Sequence, residues 1–114
     1  MAIQTVAMRS LLAEAYKVAA THAALYTTVP GGTAGTEVTG GSPAYARKAL
    51  TWAGSASATR TATVTFDVPA STTVVGAGVH SAITAGTYYD GVAVTSQAFA
   101  SQGTYELSLT VTIS

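Results

Sequence analysis

Two ten-residue segments of this chain switch between polar and apolar side chains at every step. In Thr104–Ile113, Tyr105, Leu107, Leu109, Val111 and Ile113 alternate with Glu106, Ser108, Thr110 and Thr112. In Thr59–Val68, threonines 59, 61, 63 and 65 alternate with Arg60, Ala62, Val64 and Phe66, and Pro69 ends the run. Successive strand residues point to opposite faces, so a period of two predicts strands with one wet face and one covered face. Shorter runs repeat the signal. His22–Val29 is closed by Pro30, and Tyr45–Ala53 carries Leu50 and Trp52 on one alternation. In Thr72–Ser81, Gly76 and Gly78 predict a bend or bulge. Thr87–Tyr89 and Val92–Val94 flank Asp90-Gly91, which reads as a two-residue hairpin turn. Six or seven short strands at this spacing predict a mainly β fold, a β-sandwich or jelly-roll-like antiparallel domain.

One segment follows a different rhythm. From about residue 5 to 20, Ala7, Leu11, Ala15 and Val18 share a helical face, widened by Met8, Leu12 and Ala19. Arg9, Glu14 and Lys17 take the other side, Thr5 is placed to cap the start, and Glu14 and Lys17 form a surface pair. The expectation is one N-terminal α-helix lying on the sheet by its apolar face. Between the first two strands, residues 30–43 form a loop dense in glycine and proline. Loops of that length inside compact domains commonly make contacts. At 114 residues the chain is expected to form a single domain, 1–114, with its strands between 44 and 113 after the loop.

Composition narrows the function classes. Only 9% of residues are charged and the net charge is zero, five acids against five bases. That leaves no electrostatic footprint for nucleic acid or an anionic membrane surface, and a neutral surface favours association. The absence of cysteine excludes disulfides, zinc-thiolate sites and thiol nucleophiles. The N-terminus has no basic region ahead of an apolar core, and the apolar stretch around Val18–Leu25 is short, so neither a signal peptide nor a membrane span is expected.

The chemistry-bearing residues do not converge. Glu14, Asp90 and Glu106 each have a solvent-facing position in the pattern, whereas Glu37 in the loop and Asp67 at a strand end are less easily placed. A pairing of Glu37 with Arg47 that staples the loop to the sheet is favoured over catalysis. The two histidines, His22 and His80, fall in different strands and in no metal-ligating spacing. No GxSxG turn is present, and the stretch Gly31–Gly41 lacks the Lys-Ser/Thr of a phosphate-binding loop. No cofactor and no metal is expected. Trp52, Tyr88 and Tyr89 could stack on a sugar, although adjacent strand residues face opposite ways, which favours a core role for Trp52 and a split Tyr pair.

Several short motifs are shared with known sequences. Leu25-Tyr26-Thr27, Glu37–Gly41, Tyr45-Ala46-Arg47 and Phe66-Asp67-Val68-Pro69-Ala70 occur in order, followed by Thr87-Tyr88 and Gln102-Gly103-Thr104-Tyr105. In these the chain resembles a family of short bacteriophage proteins labelled tail-fibre or minor tail proteins. It departs from their pattern at Ser42-Pro43-Ala44, where the family has a single residue. The resemblance implies no catalytic residues. It implies a virion component made and folded in the host bacterial cytoplasm, with partners among other virion proteins and its own copies, such as a homo-oligomer or trimer. The expected function is therefore a non-enzymatic, tail-associated structural protein, with Glu37, Tyr45 and Arg47 as a contact loop. Alternatives are a decoration protein on the capsid exterior and, lower, a carbohydrate-binding module using Trp52, Tyr88 or Tyr89 on a host surface glycan.

Overall fold

The computed structural model describes residues 2–54 and 57–113. A helix, α1 (Val6–Ala19), precedes strands β1 (His22–Tyr26), β2 (Lys48–Ala49), β3 (Thr59–Val68), β4 (Thr72–His80), β5 (Tyr88–Phe99) and β6 (Gly103–Thr112). Two antiparallel sheets form a sandwich-like pair: one ordered β2-β1-β4-β5, the other a ribbon of β3 and β6.

The ribbon follows directly from the two alternations. β3 and β6 pair without a slip from Thr59↔Thr112 to Val68↔Gly103. Ala62, Phe66, Val68 and Leu107 turn inward and are buried, while Thr61, Thr63, Thr65, Ser108 and Thr110 face solvent. Thr63 and Ser108 share a hydroxyl hydrogen bond across the wet face at 3.2 Å. The covered face meets Ala23 and Leu25 of β1, Val74 and Ala77 of β4, and Phe99. Full burial of its Val, Leu and Phe side chains contributes about 1.5–3 kcal/mol each, which makes this cluster the main stabilising unit.

Three strand expectations need correction. The first strand ends at Tyr26 rather than Val29, because the chain there turns into a bond between Thr27 N–H and Thr36 O. Tyr45–Ala53 yields only the two-residue β2 and an isolated bridge between Ala53 and Thr61. Its polar and aromatic groups are spent on side-chain contacts instead of a ladder. Asp90-Gly91 is not a turn, since β5 runs straight through it. Gly91 lies opposite Gly78, and a Cβ at 91 would collide with the Tyr88 hydroxyl and the Pro30 ring. The glycine is there for close approach, and the chain reverses earlier, over residues 81–87, where Ser81 N–H donates to Thr87 O at 3.0 Å and Gly86 adopts φ 72°. The irregularity expected near Gly76 is present as a register shift between Val74 and Gly76.

The helix forms where its period places it, with the Thr5 hydroxyl accepting from Met8 N–H at 3.2 Å. Its orientation is the reverse of the expectation. The docked side is narrow and small: Ala13 and Ala20, beyond its last turn, are 0% and 1% exposed. Arg60, also buried, bonds Glu14 Oε1 at 2.9 and 3.1 Å and Ser10 Oγ at 3.2 Å. The Tyr16 hydroxyl donates to Asp90 Oδ2 at 3.1 Å, and its ring meets Trp52 edge-on. The apolar face points away from both sheets, with Leu11 65% and Val18 72% exposed. The sheet end beneath the helix offers a buried guanidinium rather than an apolar floor, so the polar edge of α1 is the one that finds partners.

Candidate functional site

Glu37, Tyr45 and Arg47 do come together, although they lie outside every regular strand. Residues 36–38 run alongside the end of β1, with Tyr26 bridged to Glu37 and Val38 N–H donating to Leu25 O at 3.1 Å. Val38 plugs into the core on one side of this segment, which leaves Glu37 on the other. Arg47 grips the Glu37 carboxylate through Nε and Nη2, both at 2.9 Å. Its Nη1 donates to Ala82 O at 3.1 Å and Ala85 O at 2.8 Å. The Tyr45 hydroxyl donates to Glu37 Oε2 at 2.8 Å and accepts from Leu25 N–H at 3.0 Å, while its ring stacks on Phe66. The expected Glu37–Arg47 pair is thus the centre of a clamp that holds the loop, β1 and the 81–87 turn together. Bidentate guanidinium–carboxylate pairs of this kind are both strong and geometrically specific.

The electrostatics are those of a clamp. Burial opposes charge on Glu37, but the hydrogen bonds from Arg47 and Tyr45 outweigh it and hold the carboxyl below its ordinary value. Glu37 raises Arg47 further, and burial pushes the Tyr45 hydroxyl up. Each group is locked in the protonation state it already prefers, so none is poised to exchange a proton near neutral pH. A cleft of about 400 Å³ adjoins the clamp, walled by Thr39, Gly40, Ile83 and Thr84.

The two histidines face each other across β1 and β4 as register partners, a proximity that no local pattern signals. His80 is buried, its Nε2 joined to the Tyr26 hydroxyl by a hydrogen bond, and its Nδ1 has no partner among the described residues. Burial, and then the charge of Arg47, lowers its pKa below the ordinary histidine value. His22 Nδ1 pairs with the Thr21 hydroxyl at 2.9 Å. Among the described residues no group of three or more metal-ligating side chains assembles.

The aromatics do not share a platform. Trp52 donates from Nε1 to Ala20 O at 2.9 Å and packs on Tyr16. Tyr88 is edge-on to Tyr26 and His80 and donates to Gly31 O at 2.7 Å. Only Tyr89 is half exposed. Sequence reasoning missed Arg60, although a signal existed: it sits on the apolar side of the β3 alternation, in line with Ala62, Val64 and Phe66. It also set Glu14 and Asp90 aside as solvent-facing, whereas both anchor α1.

Fold and site together define a β-structural module held by polar clamps and carrying an uncovered apolar helix. The chain belongs to a bacteriophage fibre family: the family described as podophage GP4 fiber I protein gp80 matches residues 8–110. That span includes the clamp and every strand but the last two residues of β6. No curated protein and no solved structure matches the chain.

Proposed function

We propose that this chain is a non-enzymatic structural component of a phage tail fibre, which assembles with other virion proteins and with its own copies. The observation that carries the reading is the exposed apolar face of α1 in a chain of a fibre family. A free protein gains nothing from leaving Leu11 and Val18 in water, whereas an assembly part needs such a surface. The clamp at Glu37, Tyr45 and Arg47 supports the same reading by fixing the long loop as a rigid contact surface. A non-catalytic role fits groups that are paired and held in their resting protonation states.

The test is to quantify the chain in purified particles and to locate it by gold-labelled antibody. A tail-fibre component is present in tens of copies or fewer with label on the tail. Hundreds of copies with label over the head would instead establish capsid decoration, and absence from washed particles would refute both.

A further inference from the structure

We infer that residues 27–36 form a strap over the outer face of the four-stranded sheet, and that His80 beneath it is an acid-operated latch. The inference goes beyond the fibre reading and does not depend on it. By register, β1 and β4 turn Ala23, Leu25 and Ala77 into the core, and Tyr26, Gly76, Gly78 and His80 to the opposite face. The glycines make that face a bare floor. A Cβ at 76 would enter the Pro30 ring, one at 78 the Tyr26 ring, and one at 91 both Pro30 and the Tyr88 hydroxyl. Pro30 of the strap and the two tyrosine rings therefore lie directly on backbone. The strap closes on itself through Thr27 N–H to Thr36 O at 2.8 Å and Thr36 N–H to Thr28 Oγ1 at 2.7 Å. Tyr88 holds its tip, donating from its hydroxyl to Gly31 O at 2.7 Å. Pro30 is the one buried residue of the strap, so little apolar contact opposes its lifting.

His80 is 4% exposed, with the Tyr26 and Tyr88 rings at centroid distances of 6.1 and 5.6 Å. Its Nε2 bonds the Tyr26 hydroxyl and its Nδ1 meets no partner among the described residues. A neutral imidazole bears this with one idle nitrogen. An imidazolium donates from both, so its Nδ1–H would be a buried, charged donor without an acceptor. The surrounding groups do not offset that charge. His22, the register partner, has its Nδ1 on the Thr21 hydroxyl. The Glu37 carboxylate is already held by Tyr45 and by Arg47, whose guanidinium adds a like charge. Asp90 lies in register with Val79 on the other face and is bonded by Tyr16 and by Gly91 N–H. Burial first, and Arg47 second, accordingly lower the His80 pKa below 6.5, with Glu37 opposing. A proton gained in acid drives the ring toward water. The rings over it are Tyr26 and Tyr88, and displacing Tyr88 frees Gly31. His80 thus favours the shut strap fully above pH 6.5, and progressively less as the pH falls below it.

Amide hydrogen exchange of the full chain, read by NMR and corrected for intrinsic rates, tests this. Between about pH 7.5 and about pH 5, protection at Thr27 and Thr36 should fall about tenfold or more, while Phe66 and Leu107 in the ribbon keep theirs. The ring-proton shift of His80 should titrate with the same midpoint as the strap opens. His80→Gln retains a side-chain amide for the Tyr26 hydroxyl but takes up no proton, so its strap protection should stay flat over that range. The coincidence of midpoints decides the matter on the wild type alone, even if the variant does not fold. Strap protection that ignores pH, a loss shared equally by the ribbon, a midpoint apart from that of His80, or an acid loss that persists in a folded His80→Gln chain would each overturn the inference. Failure of the fibre reading is distinguishable, since a chain missing from particles would still open its strap in acid.

Discussion

The β3–β6 ribbon and α1 were equally well patterned in the sequence, and the structure treats them in opposite ways. In the ribbon, Phe66, Val68 and Leu107 turn inward against β1 and β4, and Arg60 on the same side turns inward to α1. In α1, the apolar side turns outward and the polar edge docks. The difference teaches what amphipathicity reports. A period shows which face gains by leaving water, but it does not say which molecule covers that face. The ribbon's face is covered within the chain because β4 follows β3 across residues 69–71 and pairs with β1. The helix sits at a sheet end whose available group is a buried guanidinium, so its apolar face stays exposed.

This contrast can be broken most severely at Phe66. Phe66→Ala should cost about 3–5 kcal/mol in urea unfolding, since it empties the centre of the covered face and the stacking partner of Tyr45. If Leu11→Ala cost as much in the isolated chain, the distinction between covered and uncovered faces would be wrong. A middling effect is expected at Gly91, where Gly91→Ala drives a methyl into Tyr88 and Pro30 and should cost about 1–3 kcal/mol. A two-residue Asp-Gly hairpin turn would hold its glycine at positive φ, whereas Gly91 lies outside that region and the cost comes from the collision.

Arg60→Met should act locally. It removes the ion pair to Glu14 and the bonds to the Ser57 and Thr59 carbonyls, so amide exchange in α1 should accelerate while the Phe66 end of the ribbon stays protected. Uniform acceleration would mean that α1 and the ribbon are one cooperative unit.

Acid sharpens the comparison more gently. Burial keeps His80 neutral with a pKa below the ordinary 6.5, so its contribution is full above that value and declines as pH falls below it. Glu14 and Glu37 are held below the ordinary 4.5, Glu14 by its bonds to Arg60 and Lys17, so their stabilisation is complete above 4.5 and is lost on further acidification. Unfolding free energy should thus decline in two stages below pH 6.5, and Glu37→Gln should weaken the second. The smallest expected effect is Leu11→Ala in the isolated chain, within about 0.5 kcal/mol, as for any exposed position.

Much of this fold was legible in the chain. The two alternations gave the ribbon nearly to the residue, the helix was placed within one residue at each end, and the Glu37–Arg47 pair followed from two charges flanking one loop. What was not legible depended on neighbours brought from elsewhere in the chain. Asp90-Gly91 carries a turn's chemistry, yet the glycine answers to Tyr88 and Pro30 across the sheet. The His22–His80 juxtaposition is a matter of register, which no local pattern encodes. The helix face was read correctly as apolar and wrongly as internal.

The most direct measurement is a cryo-electron-microscopic reconstruction of the fibre at a resolution that separates helices. The account predicts that this chain is found in the fibre, with Leu11 and Val18 covered by a neighbouring virion protein or a further copy and Ala13 against the chain's own sheets. Density placing the chain outside the fibre, or α1 alone in solvent, would contradict it.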